Sequence, residues 1–240
     1  MNGSNERKRH HHTSKFAMGS ENKRWQLPKG WLDYAPVGRD IPEIRMVPFK
    51  TPLEKGFFDQ MRNAEENRFE VNTLIEYAEE AGKTLGLVID LTDTTRYYTP
   101  DLWYEHGVEH LKLRCPGHEL HNYDNTVNVF IETVKDFLVQ NKDNEKLVGV
   151  HCTHGLNRTG YMICRYMIEC LGLSADEAIE KFESSRGYKM ERQAYISALH
   201  KVEQKLRNKK ASEGSKDPAS LEYISLPPTD QTGTSTNGTT

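Results

Sequence analysis

Residues 147–160 read Leu-Val-Gly-Val-His-Cys-Thr-His-Gly-Leu-Asn-Arg-Thr-Gly, and this stretch decides the fold. Leu147-Val148-Gly149-Val150 is a short apolar run of the kind that forms a strand buried on both faces. Tyr161–Leu171 beyond it is apolar nearly all round, as a central helix is. Between the two, Cys152 ends the strand and Arg158 stands six residues on, where the helix begins. A chain turning from strand to helix here presents consecutive backbone N–H groups. They curl into a nest around one anion, at the positive end of the helix dipole. Arg158 adds a planar, bidentate fork suited to phosphate. The same field stabilises a thiolate at Cys152 and lowers its pKa below that of a free thiol.

The expected phosphate-binding loop is therefore Thr153, His154, Gly155, Leu156, Asn157, Arg158 and Thr159. Gly155 and Gly160 permit close backbone approach, and Asn157 is expected to hold a left-handed bend. Thr159 is placed to hydrogen-bond the sulfur. A buried structural cysteine beside a helix cap leaves the glycines, the arginine and the hydroxyl residue unexplained. Zinc at His151, Cys152 and His154 lacks a fourth ligand and strains the loop.

Working outward, Leu85–Ile89 is a second buried-strand run, and Leu111 and Leu113 mark a weaker third. Val71, Leu74, Ile75 and Ala78 repeat at helical spacing and stop at Gly82. Val127, Phe130, Val134 and Leu138 form another amphipathic helix. Ser174 and Glu177 have capping-box spacing for the next, with Ala178, Ile179 and Phe182 inward. Tyr195, Leu199, Val202 and Leu206 mark the last helix, and periodicity ends at Asn208. Five of the ten prolines fall between Pro28 and Pro52, which forbids a helix and predicts an extended segment laid across the folded body. Strands separated by helices give an α/β domain with a mostly parallel twisted sheet. Ligands of such sheets sit beyond the carboxyl ends of the strands. That rule points to the loops after Ile89, Leu113 and Val150.

The charge divides the chain. Residues 1–24 carry a net +4, residues 25–208 a net -6 and residues 209–240 a net -1. The expected organisation is a basic, disordered tail over 1–24, a catalytic domain over 25–208 and a disordered tail over 209–240. An acidic domain is no general nucleic-acid coat, so any polyanion must be held in a local pocket. The first tail contains Arg7-Lys8-Arg9, a possible nuclear-import signal, and the run His10–His12, which lacks the fixed geometry of a metal site. No apolar run approaches the length of a membrane span, and the N-terminus lacks a secretory hydrophobic region. Four cysteines without a CxxC pair indicate neither a disulfide scaffold nor a zinc ribbon. The expected compartment is reducing, nuclear or cytoplasmic.

The loop resembles the Cys-x5-Arg loop of the cysteine-based protein-tyrosine-phosphatase superfamily. More narrowly, HCTHGLNRTG resembles the RNA 5′-triphosphatase branch, which includes the triphosphatase domain of metazoan capping enzymes and the baculovirus RNA phosphatase. Trp31–Leu53, Asp90–Tyr98 and Arg192–Ile196 resemble further segments of that branch, and the likeness covers roughly residues 25–206. The resemblance implies a protein-tyrosine-phosphatase-like fold. It implies a two-step reaction with no metal and no cofactor, in which Cys152 attacks the terminal phosphorus and water hydrolyses the phosphocysteine. The implied partners are 5′-triphosphorylated RNA and RNA-processing or small-RNA ribonucleoprotein complexes, with no membrane and a monomeric chain.

Ordinary tyrosine phosphatases also use an aspartic acid to protonate the leaving oxygen. The matching loop here runs from Cys115 to Asp124, where Asp124 is the candidate acid and an N-cap for the following helix is the alternative. The branch shows no uniform acid at this point. A phenol has a pKa of about 10, whereas a phosphate leaving group has one of about 6 and departs as an anion. Arg96, Arg186, Lys189 and Arg192 are the expected cations for the remaining phosphates or the RNA backbone, with surface ion pairs as the bland alternative. Gln193 is placed to position the hydrolytic water. A capping enzyme's Lys-x-Asp-Gly nucleophile is absent from the chain.

Overall fold

The computed structural model describes residues 24–59, 61–116 and 123–214. The two expected disordered tails, with the basic run and the histidine run, fall almost wholly outside these residues. Four strands form one sheet: β1 (Met46–Lys50), β2 (Leu85–Asp90), β3 (Glu109–Lys112) and β4 (Leu147–Cys152). All neighbours are parallel and the order is β1-β4-β2-β3, so β4 and β2 are central. Both central strands are buried along their whole length, which is why their sequences are apolar runs rather than alternations.

Successive side chains enter opposite cores. Leu87, Ile89, Val148 and Val150 face a cluster with α4 (Asp124–Gln140), α5 (Asn157–Leu171), α6 (Ala175–Arg186) and α7 (Gln193–Gly214). Val47, Phe49, Leu85, Val88 and Leu147 face the other layer, built by α2 (Val71–Glu80), α3 (Asp101–Tyr104) and Trp31, Phe57 and Phe58. A one-turn helix, α1 (Ala64–Asn67), precedes α2. No helix among the described residues is long and apolar enough to cross a membrane.

The helix signals correspond to real ends. Gly82 follows α2 at φ 66 and donates to Glu79 O at 2.9 Å. Ser174 and Glu177 cap α6 reciprocally. Three readings change. Strand β3 starts two residues earlier than its leucines suggest, because an edge strand needs no apolar run. Helix α7 continues past Asn208 to Gly214, through Lys209, Lys210, Ala211 and Glu213, which favour helix without supplying an apolar stripe. The proline-rich segment contains β1 itself, paired to β4 with Pro48 opposite Val150. Pro48 O accepts from Gly38 N at 2.8 Å on the outer edge, so its missing N–H also points outward and removes no bond to β4. Residues Pro36–Ile41 cover that edge, with Lys50 N donating to Pro36 O and Ile41 N to Met46 O.

Candidate active site

The carboxyl ends of β4, β2 and β3 deliver Cys152, Asp90 and Lys112 to one end of the sheet. The loop after Cys152 turns at Gly155, whose φ is 67 and whose missing Cβ would lie 2.3 Å from Phe49 O. Any side chain there would meet the backbone of β1. Gly155, not Asn157, therefore holds the left-handed bend. Asn157 is the first residue of α5, and its Oδ1 accepts from the N–H groups of Glu191 and Arg192 at 3.0 and 2.8 Å. It ties the start of α7 to the loop.

Four consecutive loop carbonyls are drawn away from the hollow. Thr153 O accepts from Thr51 N at 3.2 Å, and Leu156 O from Gly160 N at 2.6 Å. His154 O and Gly155 O accept from Arg186 at 3.0 and 3.1 Å. A peptide plane whose carbonyl is fixed outward turns its N–H inward, so the amides converge where an anion sits.

Cys152 is buried. Burial alone would push its thiol up, but Arg158, the Thr159 hydroxyl and N–H, and the His154 N–H outweigh it and lower the pKa. Thr159 Oγ1 is fully buried and lacks a hydrogen bond of normal geometry, so its part is a loose dipolar contact with the sulfur. Arg158 donates to Leu91 O at 3.1 Å, Cys115 O at 3.0 Å and Thr153 Oγ1 at 3.0 Å, joining the loops after β2, β3 and β4. Lys50, buried at the end of β1, donates to Trp31 O and Tyr34 O with its ammonium 3.6 Å from the Trp31 ring centre. Burial and Arg186 push its pKa down to about 8. Arg158 and, from behind the loop, Arg186 act on Cys152 and bond only to neutral oxygens, which leaves positive charge around the sulfur inside an acidic domain.

The flanking cations part company. Arg186 is 1% exposed and donates to the carbonyls of Ala35, His154 and Gly155. It braces the loop from behind, which corrects its reading as a substrate contact. Arg192 and Lys189 are exposed in the segment that Asn157 anchors, and Arg192 lies close enough to Tyr195 to act on its titration. Gln193 begins α7 and is exposed. Arg96 stacks on Phe57 and Tyr97 and donates to Arg24 O and Gln26 O, so it fastens the N-terminal segment.

Asp124 is the first residue of α4, one place beyond the N-cap Tyr123. Its side chain is 77% exposed and pairs with Arg165 at 3.3 Å, so the carboxylate is turned to α5. Glu119 and His121, the other titratable side chains between His118 and Tyr123, lie outside the described residues.

A polar network beneath the loop escaped the sequence reading. Tyr98 donates to Asp90 at 2.9 Å and meets His151 Nε2 at 2.7 Å, while Lys112 donates to Asp90 at 2.8 Å. His154 Nε2 instead meets Lys29 O at 2.9 Å, so the two histidines do not converge as zinc ligands would. Burial opposes the Asp90 charge, yet His151, His110 and Lys112 hold its carboxyl well below the usual range. Burial pushes His151 down to about 4, so it is neutral at pH 7 and Lys112 is the lasting cation. An acid ending an apolar strand was the available signal for Asp90.

A depressed histidine makes the unfolded chain bind more protons, so stability falls as pH drops from about 6.5 toward 4. The slope contributed by His151 is at most about 1.4 kcal/mol per pH unit. Denaturant midpoints between pH 7 and pH 4.5 should decline less in His151→Gln than in the unaltered chain. Parallel declines would show that His151 is not the group responsible.

Comparison with known proteins agrees with this geometry. The chain matches the model of the dual specificity phosphatase catalytic domain over residues 70–205. It is 51% identical over 187 residues to the RNA/RNP complex-1-interacting phosphatase homolog of Caenorhabditis elegans, covering 78% of this chain and 80% of that one. Identity to the RNA/RNP complex-1-interacting phosphatase of Homo sapiens is 47% over 173 residues, covering 72% of this chain and 51% of the relative. The chain thus spans about half the length of that human protein. A tyrosine-protein phosphatase of Autographa californica nuclear polyhedrosis virus is 39% identical over 173 residues, with 72% and 98% covered. Among solved structures, that of PTPMT1 has a TM-score of 0.51 at 17% identity, covering 73% of this chain and 99% of that one, which shows the shared fold. The loop that carries Cys152 and Arg158 lies within the matched domain, and the chain belongs to the dual specificity phosphatase family.

Proposed function

We propose that this chain is an RNA 5′-triphosphatase, removing the γ and then the β phosphate to leave a 5′-monophosphate. The Cys152 thiolate attacks the terminal phosphorus and forms a P–S bond as the bridging P–O bond breaks. The shortened RNA leaves with that bridging oxygen. Loop amides and Arg158 hold the three equatorial oxygens through this step. Water then attacks the phosphocysteine, releasing inorganic phosphate and restoring the thiolate. No metal enters either step.

The observation that carries this reading is the place of Asp124. The candidate acid among the described residues is exposed and committed to Arg165. A site in which no described residue is a positioned acid favours a leaving group that departs as an anion, and a phosphoanhydride does so far more readily than a phenol. The positive hollow supports a polyanion, and the names of the relatives support RNA and an RNA–protein complex as partners. A protein phosphatase acting on phosphotyrosine is the second reading, favoured by the family itself.

The test sets γ- and β-labelled triphosphate RNA beside a phosphotyrosine peptide, all in EDTA. Phosphate release from RNA with little from the peptide is expected. The reverse preference, or a strict requirement for magnesium, overturns the proposal. In the same assay Asp124→Asn should lower kcat/KM on RNA less than about threefold, well short of the hundredfold typical of a lost general acid. A hundredfold loss would make Asp124 the acid despite its place on Arg165.

A further inference from the structure

The rim of the hollow has two chemically different sides. One holds Arg158, while Arg186 and Lys50 are buried behind the loop, with the Arg186 guanidinium 5.2 Å from the Tyr188 ring centre. On the other, the loop's own His154 meets Tyr34 with ring centres 5.2 Å apart, and Tyr34 meets Tyr188 at 5.2 Å. The three rings are half-buried and inclined to one another at 45° and 77°, so they form a corner rather than a closed stack. Two hydrogen bonds hold it: Tyr34 OH donates to Glu191 at 2.5 Å, and Ala35 N donates to Tyr188 OH at 2.8 Å. His154 is fixed through Nε2 to Lys29 O. Because the His154 N–H also points at the Cys152 sulfur, this corner borders the reacting centre.

The acids Glu191 and Asp33 lie near both Tyr34 and His154. The rim joins the anion seat at Arg158 to a cluster of aromatic rings able to stack on a planar group. A nucleoside 5′-triphosphate has that same layout.

We propose that Tyr34 and Tyr188, with His154, form a stacking subsite for the first nucleobase of the 5′-triphosphorylated RNA. This rests on the triphosphatase reading above and adds a base-binding role to it. Stacking tolerates any base, since each has a π-face, so the subsite distinguishes a nucleotide from a bare polyphosphate rather than one sequence from another.

The experiment compares triphosphate RNA with inorganic tripolyphosphate, which offers the same anhydride without a base. The variants are Tyr34→Leu, Tyr34→Phe, Tyr188→Leu and Tyr188→Phe, each checked for an unchanged melting temperature. The ratio of kcat/KM for RNA to that for tripolyphosphate should fall about tenfold in each Leu variant, chiefly through KM. The Phe variants keep the rings and lose the hydrogen bonds, and they should keep the ratio. Equal losses on both substrates would make the rings supports of the loop and overturn the subsite, as would Phe variants as impaired as Leu. An unchanged ratio in both Leu variants, with wild type active on both substrates, would overturn the subsite alone. A wild type inactive on triphosphate RNA but active on a phosphotyrosine peptide would overturn the triphosphatase reading, and the subsite with it.

Discussion

Cys152→Ser should reduce phosphate release from triphosphate RNA to below about 1% of the wild-type rate while leaving RNA bound. Replacing sulfur by oxygen barely changes the volume in this fully packed position, so the fold should survive. The chemistry should not. Arg158 and the loop N–H groups lower the Cys152 thiol pKa, and the thiolate is the nucleophile. A serine hydroxyl starts so far above a thiol that the same field cannot ionise it near neutral pH. Binding has the opposite expectation. The converging amides and Arg158 remain, and a negative sulfur no longer opposes the incoming phosphate. The variant should therefore bind RNA at least as tightly as wild type, read by filter binding or anisotropy beside the kinetics. Turnover above about 1% would exclude Cys152 as the attacking atom. Lost binding together with lost turnover would mean that the thiolate is needed to shape the loop.

How much of this was legible depended on whether a residue's role is local. The strand–loop–helix unit could be read because Cys152, Gly155 and Arg158 are fixed by chain geometry within a few residues. The buried central strands could be read from their apolar runs, and the helix ends from Gly82 and the Ser174–Glu177 box. What escaped was long-range. Arg186 reads in sequence as a cation for substrate phosphate and Lys50 gives no signal, yet both are buried and bond to carbonyls that close approach of distant segments supplies. Asn157 was assigned a backbone strain that Gly155 carries, because its hydrogen bonds reach 34 and 35 residues away. Strand β1 was hidden by prolines, since a strand's edge position cannot be known before its neighbours are. Asp124 was placed correctly next to a helix start, but the partner that decides its role, Arg165, lies on another helix.

Arg186→Met should lower kcat by about a hundredfold and change the melting temperature little. The two effects separate because opposing terms cancel in stability but not in catalysis. The guanidinium donates three hydrogen bonds to carbonyls, and bonds of a charged donor contribute about 1.5–3 kcal/mol each. Against this stand several kcal/mol of desolvation, a buried Nη1 without a partner, and the absence of any carboxylate among its bonds. Methionine of similar length removes both sides of that balance. The carbonyls of His154 and Gly155, however, lose the donor that holds them outward. Their peptide planes are then free to rotate, and amides that should meet the phosphate leave the hollow. Losing one preorganised donor to a transition-state oxygen typically costs about a hundredfold or more. A second signature separates this from simple misfolding. Arg186 remains charged with a pKa of about 10, and its field reaches Cys152. Without it the thiolate is harder to form, so the acidic limb of the kcat/KM profile should move to higher pH. Arg186→Lys keeps a charge but not the planar fork, and it should recover the pH profile more fully than kcat. If Arg186→Met melts well below wild type yet retains normal kcat and an unshifted acidic limb, Arg186 supports the fold and not the loop.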